Sequence, residues 1–396
     1  MDKVLAINSG SSTFKFKLFS LDNEAVLAEG MADRVGLDDS TFNVELSNGE
    51  KHMAKIPVPD QERAVEILLN TLKEYHVIDD FSEIVGVGHR IVAGGEYFKD
   101  STIIDETNLQ KIFDLKEYAP LHNPAEGNGI KAFMKLLPGV PEVGVFDTSF
   151  HQTMDPVHYL YSVPYKWYED YGARKYGAHG TSVRYVTSRA AEMLDKSADE
   201  LKLIVCHLGS GASITAVKNG KSYDTSMGFT PLAGVTMSTR SGDVDPSLLQ
   251  FIMEKENLSM DEMIEILNHK SGLLGISGIS PDMRDIKSHI DEKQAKLARD
   301  IFKNRIIRYV SSYIAEMNGA DAIVFTAGVG EHDQDLRESV MKGLKIFGLV
   351  PDIEANKENG EKFITKIDSK IQALVIPTNE ELMIERDVVR LAHLKA

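Results

Sequence analysis

A strand–turn–strand pattern that occurs once in each half of the chain constrains the fold more than any other feature. Val4–Phe19 consists of an apolar run, the turn Asn8–Thr13 that is rich in glycine and serine, and a run in which lysines alternate with apolar residues. Leu203–Val217 repeats this order around the small-residue turn Leu208–Ala212. Such runs around a short turn predict β-hairpins, and two similar hairpins in one chain predict a duplicated architecture.

Other segments also pair between the halves. Glu83–Gly88 resembles Ala322–Gly330, and Val143–Thr148 resembles Ala373–Thr378, each a short apolar run that ends in a polar or glycine turn. Apolar residues at helical spacing fill five further segments, which are Gln61–Tyr75, Pro124–Leu137, Thr181–Leu194, Lys293–Met317 and Asn379–Leu391. Alternating strands and helices predict an α/β fold, here two duplicated lobes of mixed β-sheet flanked by helices.

The length of 396 residues suggests two or three domains. The repeat predicts an N-terminal lobe over residues 1–150 and a C-terminal lobe over 151–382, and we expect the final helix, about 383–396, to pack back on the first lobe.

Charge and composition narrow the class of partner. A formal net charge of −16 argues against nucleic acid or an anionic membrane as the main partner, although a local basic pocket could still hold a small anion. The single cysteine, Cys206, cannot form an internal disulfide, which favours a reducing compartment. The N-terminus lacks the pattern of a secretory signal, and no apolar stretch approaches the ~18 residues of a membrane span. We therefore expect a cytoplasmic protein without a membrane partner.

Three glycine turns follow apolar runs, at Asn8–Thr13, His207–Ala212 and Thr326–Glu331. Glycine lets backbone N–H groups approach phosphate oxygens, although a single turn of this kind is more often a plain tight turn. Neither a P-loop nor a dinucleotide-binding glycine motif occurs. Three turns in these positions favour nucleotide binding.

Charged side chains close to these turns are candidates for the chemistry. Arg90 and Arg240 offer donor forks that suit a carboxylate or a phosphate, although a lone arginine is more often a surface ion-pair partner. Asp147 ends a predicted strand, where it could hold Mg²⁺ or cap the next helix. His179 precedes a predicted helix, whose N-terminus favours anions, and Glu380 begins the last helix.

Taken together, the motifs resemble the acetokinase family, of the acetate and sugar kinase/Hsc70/actin superfamily, over nearly the whole chain. They are Asn8–Ser12, Gly88–Arg90, Pro120–Pro124, Phe146–Thr148, Tyr176–Ser182, His207–Gly209, Thr239–Asp243, Asp282–Arg284, Gly328–Glu331 and Pro377–Glu381. The resemblance implies an actin/ribonuclease H-like fold with a cleft between the lobes, and a homodimer. It also implies reversible, direct in-line transfer of the ATP γ-phosphoryl group to acetate with Mg²⁺, for which Mn²⁺ could substitute.

The resemblance assigns roles by position, and it puts most of the nucleotide site and the dimer interface in the C-terminal lobe. It implies catalytic roles for Arg90, Asp147, His179 and Arg240. It implies that acetate contacts Arg90, Val92, Leu121, His122 and Pro231, and that Asn8 and Glu380 serve the metal. The residues implied for the nucleotide are Lys15, His207, Leu208, Gly209, Ser210, Gly211, Asp282, Met283, Arg284, Gly328, Val329, Gly330, Glu331 and His332.

The chain departs from the family pattern at several positions. Ser210 stands where the family often has asparagine, and Val183 where it usually has histidine; Ala178 replaces a phenylalanine found in some members and would widen an acyl pocket. Three alternatives therefore stay open: a propionate or butyrate kinase, an ATP-binding module of the actin or Hsc70 type, and a catalytically inactive paralogue.

Overall fold

The structure, a computed structural model, describes residues 1–120 and 122–395, so Leu121 lies outside the described residues. The chain divides into two compact units. Unit 1 comprises Met1–Phe150 and the segment from Asn379 onward, and unit 2 comprises His151–Thr378. In the described part of the chain, no helix combines the length and the apolar character that crossing a membrane requires.

Unit 1 is built on an eight-stranded mixed sheet in the order β5-β4-β3-β2-β1-β6-β8-β7. Its strands are β1 (Lys3–Ser9), β2 (Thr13–Ser20), β3 (Val26–Asp33), β4 (Thr41–Leu46), β5 (Lys51–Lys55), β6 (Ile84–Ile91), β7 (Thr102–Ile103) and β8 (Glu142–Phe146). Its helices are α1 (Gln61–Glu74), α2 (Glu106–Asp114), α3 (Asn123–Leu136) and α15 (Glu380–Leu391). The predicted first hairpin is confirmed as β1 and β2, which pair antiparallel along their whole length.

Helices cover both faces of this sheet because its central strands are apolar on both sides. One face buries Leu5 and Ile7 against α1 and α3, and the other buries Val143 against α15, which supplies Ile384 and Val388.

Asp60 begins α1 by accepting a hydrogen bond from the Arg63 N–H, as helix-capping aspartates do.

Unit 2 carries a six-stranded mixed sheet in the order β11-β10-β9-β12-β14-β13. Its strands are β9 (Lys202–Leu208), β10 (Ala212–Lys218), β11 (Lys221–Thr225), β12 (Ala322–Thr326), β13 (Lys362–Phe363) and β14 (Gln372–Val375). Its helices are α4 (Pro156–Tyr159), α5 (Lys166–Tyr171), α6 (Gly180–Met193), α7 (Pro246–Glu256), α8 (Met260–His269), α9 (Gly272–Ser277), α10 (Met283–Ser288), α11 (Lys293–Glu316), α12 (Ala327–His332), α13 (Gln334–Gly343) and α14 (Ile353–Lys357). The second predicted hairpin is confirmed as β9 and β10, and α11 packs Phe302 and Ile306 into the core formed with these strands.

Two details of the predicted strands are wrong. The run after β12 is not a glycine turn, because Ala327–His332 forms the short helix α12. The strand expected to end at Gly88 continues to Ile91, since parallel pairing with β8 extends as far as Ile91 opposite Phe146. Arg90 therefore belongs to β6 and does not follow it.

Helix α15 approaches β6 so closely that Gly88 has no room for a side chain. A β-carbon there would lie 2.3 Å from Ile384 Cγ2 and 2.8 Å from Val388 Cγ2. We predict that Gly88→Ala lowers the free energy of unfolding by about 1–3 kcal/mol, because overpacking displaces α15. Urea unfolding followed by circular dichroism measures this. Gly328→Ala is the matched control for stability, since a β-carbon there would meet nothing within 4 Å, and an equal loss in the control would contradict the explanation.

Candidate active site

In unit 1, three candidate residues, Asn8, Arg90 and Asp147, lie at the carboxyl ends of three parallel strands. β1, β6 and β8 are parallel neighbours in which Ile7 lies opposite His89 and Arg90 lies opposite Val145. Asn8 and Asp147, the residues next along the chain, therefore come from the carboxyl ends of the two strands that flank β6. Ligands of open α/β sheets bind at such ends.

Arg90 is held by two carboxylates. Its Nε donates to Asp147 Oδ1 at 3.0 Å and its Nη2 donates to Asp147 Oδ2 at 2.6 Å. Glu380 Oε2 lies 3.8 Å from Nε, so α15 contributes to the same group. The neighbouring Asp147 raises the pKa of Arg90 above its usual range, which keeps the guanidinium charged. We call Arg90, Asp147, Glu380 and Glu126 the Arg90 cluster.

The Arg90 cluster contains more carboxyl groups than cations. Burial raises the pKa of Glu380 to about 7 and that of Glu126 to about 8, while Arg90 acts in the opposite direction on both. One guanidinium therefore does not neutralise the three carboxyl groups when all are ionised. Carboxyl oxygens are the ligands that Mg²⁺ prefers, and a bound divalent cation would favour the ionised forms of these groups, so the residues fit a magnesium ion.

Glu126 also supports the backbone that follows β6. Its Oε2 accepts a hydrogen bond from the Val92 N–H at 3.1 Å, and the next two N–H groups, of Ala93 and Gly94, donate to Asn123 Oδ1 at 3.2 Å and Thr148 Oγ1 at 3.0 Å. Asn123 and Glu126 occur one helical turn apart on α3, and both are buried. Sequence reasoning missed both residues, although two polar residues at this spacing on a buried helix face were a usable signal.

Asn8 and Lys15 lie opposite each other in the first hairpin and line one cavity of about 260 Å³, together with Glu381. In the described residues, neither a hydrogen bond nor an ion pair joins Asn8 to Glu380. His122 is exposed at the beginning of α3.

In unit 2, parallel strands β9, β12 and β14 bring a second set of residues to one edge. His207 lies opposite Thr326, and Phe325 lies opposite Val375. His207 Nδ1 is 2.8 Å from Ser182 Oγ, which in turn is 2.7 Å from Thr378 Oγ1. A chain of hydroxyl groups thus orients the imidazole of His207.

His179 stacks on His207 with ring centroids 4.0 Å apart and an angle of 21°. Its Nδ1 lies 2.9 Å from Ser213 Oγ. The backbone of His179 is left-handed, with φ of 61°, and α6 begins at the next residue, Gly180. The predicted position of His179 immediately before this helix is therefore confirmed.

His151 fixes the backbone just before His179. Its Nε2 lies 2.8 Å from the Ala178 carbonyl oxygen, so this nitrogen donates, and Nδ1 lies 2.8 Å from Ser222 Oγ. Burial lowers the pKa of His151 to about 4, which leaves the ring neutral. These contacts give His151 a structural role.

Arg240 and His179 converge on the turn that follows β9. Arg240 Nη1 and His179 Nε2 each lie 3.4 Å from the position that a β-carbon on Gly211 would occupy. Arg240 Nη1 also lies 3.4 Å from the Pro231 carbonyl oxygen, and burial lowers the pKa of Arg240. The structure thus brings three predicted site residues of unit 2 together, which are His179, Gly211 and Arg240.

A cavity of about 820 Å³ opens beside this group and has the size of a ligand pocket. Most of the predicted nucleotide residues line it, namely Gly209, Ser210, Gly211, Asp282, Met283, Arg284, Gly328, Val329 and His332. Arg240 lies on its wall as well. The other predicted nucleotide residues of this region do not line the cavity. Leu208 and Gly330 are buried, and Glu331 accepts a hydrogen bond from the Thr378 N–H at 3.3 Å.

Sequence reasoning missed several residues of this cavity wall. Lys287 lies one helical turn after Arg284 on α10, and its ammonium group pairs with Asp335. Asp333 also lines the cavity, and its Oδ1 lies 2.7 Å from Arg299 Nη2. Ser238 and Thr239 extend the wall from the Arg240 loop. The position of Lys287 three residues after Arg284 was the one available signal.

Two mixed sheets with candidate phosphate-binding residues at the carboxyl ends of parallel strands are typical of an α/β phosphotransferase. The model of the acetokinase family matches residues 3–386. The chain belongs to the acetokinase family, whose members use ATP.

Full-length relatives and solved structures agree with this assignment. The chain is 57% identical to acetate kinase of Limosilactobacillus fermentum over 99% of both chains. The crystal structure of Porphyromonas gingivalis acetate kinase has a TM-score of 0.95 at 44% identity, covering 99% of this chain and 100% of the other. A propionate kinase from Francisella tularensis subsp. tularensis SCHU S4 has a TM-score of 0.92 at 39% identity, with the same coverage. The predicted fold of two mixed-sheet lobes and the predicted family are confirmed.

The raised pKa of Glu126 has a consequence for stability. The carboxyl group binds its proton more tightly in the folded protein, at about 8, than in the unfolded chain, near 4.5. The stabilisation from the neutral form is therefore fully present below about pH 4.5 and is lost as the pH rises through 8.

We predict that Glu126→Gln, which has no proton to lose, becomes more stable relative to the parent protein between pH 5 and pH 9. The limit is about 1.4 kcal/mol per unit of pKa shift. Urea unfolding at pH 5, 7 and 9 measures the difference between the two proteins. A difference that does not change with pH would contradict the burial of an ionisable Glu126.

Proposed function

We propose that the protein transfers the γ-phosphoryl group of ATP to acetate, reversibly and directly, giving acetyl phosphate and ADP. The observation that carries the proposal is the convergence of Arg240 and His179 on Gly211 at the wall of a cavity of nucleotide size. The full-length relatives named as acetate kinases support acetate as the acceptor.

The acceptor makes the reaction an electrostatic task. A short carboxylic acid is ionised at neutral pH, so it attacks phosphorus without a general base. The obstacle is repulsion between two anions and the charge on the group in transfer, which catalysts of this class overcome by positioning and charge stabilisation.

In this proposal, Arg90 binds the carboxylate of the acid. Asp147 occupies the Nε and Nη2 edge of the guanidinium, and in the described residues Nη1 makes no hydrogen bond, so its N–H groups are available to the acid. Val92, Pro231 and His122 would contact the acid, together with Leu121. Asp147 acts by holding the guanidinium in one orientation.

His179 and Arg240 would stabilise the transferring phosphoryl group. If Nδ1 accepts from the Ser213 hydroxyl, Nε2 of His179 is the nitrogen that carries a proton, and it would donate to a phosphoryl oxygen. Arg240 lies on the same side of Gly211 and adds a permanent positive charge. Both groups would act on the same phosphoryl oxygens.

Nucleotide and metal sites complete the proposal. The lining of the unit 2 cavity would hold ATP, with Lys15 and the β9–β10 turn directed to phosphates. Glu380, Asn8 and Asp147 supply the oxygen donors that would hold Mg²⁺, or Mn²⁺ in its place. The metal, when bound, neutralises charge on the β- and γ-phosphate oxygens.

Propionate is the second candidate acceptor. Ala178 is smaller than the phenylalanine that some members have at this position, and one solved relative is named a propionate kinase. The ratio of kcat/KM for acetate, propionate and butyrate separates these functions, since one methylene changes binding by only about 1–3 kcal/mol.

We predict that the purified protein forms ATP from ADP, Mg²⁺ and acetyl phosphate, and that Arg240→Ala lowers kcat on the order of 10²–10³-fold. A coupled assay for ATP measures both. Arg189→Ala is the matched control, because Arg189 pairs with Glu361 on the surface of unit 2, and it should keep its rate within about twofold. Near-normal kcat in Arg240→Ala would refute the role given to Arg240.

We also propose that the protein is a cytoplasmic homodimer. Unit 2 exposes four aromatic side chains between residues 161 and 171, and a fifth, Phe229, whose N–H donates to the Tyr161 hydroxyl at 2.7 Å. We call these five residues the aromatic surface: Tyr161, Tyr165, Trp167, Tyr171 and Phe229. Aromatic residues are enriched where proteins associate, which supports a second copy of the chain as the partner. The buried free thiol of Cys206 agrees with a reducing compartment.

We predict that Trp167→Glu converts the dimer to a monomer, or weakens it by at least tenfold, because a charge would be buried in the contact. Analytical ultracentrifugation over a range of protein concentrations measures this. Ile367→Glu is the matched control, because Ile367 is 99% exposed and lies outside the aromatic surface. A dimer of unchanged affinity in Trp167→Glu would contradict the use of this surface.

A further inference from the structure

The turn after β6 has an unusual pattern of backbone support. Three consecutive N–H groups, of residues 92, 93 and 94, each donate to a side chain instead of to another backbone group. The acceptors come from two separate elements, since Glu126 and Asn123 belong to α3 and Thr148 follows β8. All three acceptors are buried, with exposed fractions of 2%, 0% and 5%.

Asn123 makes the support two-sided. Besides accepting from the Ala93 N–H, its amide nitrogen donates to the Ala93 carbonyl oxygen at 2.9 Å and to the Ile112 carbonyl oxygen at 3.2 Å. The side chain therefore ties the turn to α2 as well as to α3. Removing one partner of a buried hydrogen bond leaves an unsatisfied group at a cost of about 1–3 kcal/mol, so the turn resists displacement.

Packing behind the turn also prevents its retreat. A β-carbon on Gly94 would lie 3.1 Å from the Phe146 ring, and that ring stacks on Phe98 with centroids 4.0 Å apart. Val92 itself is only half-buried, so part of its surface remains accessible. The turn is thus a rigid wall that presents Val92.

We propose that Glu126, Asn123 and Thr148 are positioning residues that set the acyl-chain selectivity of the enzyme by fixing the Val92 turn. The inference rests on the proposed function, in which Val92 lines the site of the acid. A longer acid is rejected only if the wall does not move, because each additional methylene must then displace packed atoms. If the Val92 turn can be displaced, propionate and butyrate bind more readily while acetate still fits.

Two pairs of variants test the proposal, and each pair separates loss of the acceptor from loss of the residue. Thr148→Val removes the acceptor for the Gly94 N–H at nearly constant volume, whereas Thr148→Ser retains a hydroxyl group. Glu126→Leu removes the acceptor for the Val92 N–H, whereas Glu126→Gln retains an oxygen in its place. The pairs act from different elements, so one poorly folding variant does not remove the test.

The measurement is the ratio of kcat/KM for propionate to that for acetate, with butyrate as a third acid. Thr148→Val and Glu126→Leu should raise this ratio about 5–20-fold, within the range that one methylene contributes to discrimination, and the Ser and Gln variants should stay within about twofold of the parent protein. A merely structural defect would lower activity with all the acids alike and leave the ratio unchanged.

Val92→Ala, measured in the same assay, separates failure of the inference from failure of the proposed function. If Val92→Ala leaves the ratio unchanged, Val92 does not line the acid site and the proposed function is wrong at this point. If Val92→Ala raises the ratio while both acceptor-removing variants stay within twofold, the assignment of the positioning residues is overturned. A ratio that rises equally in Thr148→Ser and Thr148→Val would also overturn it.

Discussion

The bidentate hydrogen bond between Arg90 and Asp147 is the interaction on which the candidate site of unit 1 depends. A guanidinium on a flexible stem has many orientations, and two parallel bonds to one carboxylate select a single one. The pair forms because β6 and β8 are parallel neighbours in register, so that the residue at the end of one strand meets the side chain of the other. Sheet topology thus determines the chemistry here, and the close packing of α15 on β6 brings Glu380 to the same guanidinium.

The candidate sites of unit 1 and unit 2 differ in electrostatic character. The Arg90 cluster has three carboxyl groups for one guanidinium, and burial raises the pKa of two of them. Arg240, in contrast, has no carboxylate partner among the described residues and bonds only to the Pro231 carbonyl oxygen and the Met237 sulfur. A group of carboxyl oxygens suits a bound cation, whereas an unpaired guanidinium favours an anion. A reaction that needs both a divalent metal and a phosphoryl group suits this division, even though the whole chain carries a net charge of −16.

Local patterns predicted the two hairpins and the long helices because their periodicity needs no knowledge of distant residues. The family motifs likewise predicted His179 and Arg240, and the structure brings these two together at Gly211. The sequence did not reveal that Glu126 and Thr148 support the Val92 turn, because those bonds join residues 34 and 54 positions apart. It also misjudged Thr326–Glu331, where glycines suggested a turn but the residues after β12 continue as a helix. Long-range hydrogen bonds and the choice between turn and short helix depend on tertiary contacts, which periodicity does not encode.

Selectivity between short acids cannot come from the fold itself. Relatives named for acetate and for propionate share this architecture over their full length, so the difference must lie in a few side chains and in how firmly they are held. Shape alone would distinguish acids by one methylene only if the surrounding atoms resist displacement, since a soft pocket adapts to the larger ligand. A site for a ligand as small as acetate therefore requires support behind the contacting residues, and hydrogen bonds to consecutive backbone N–H groups provide such support without adding volume to the pocket.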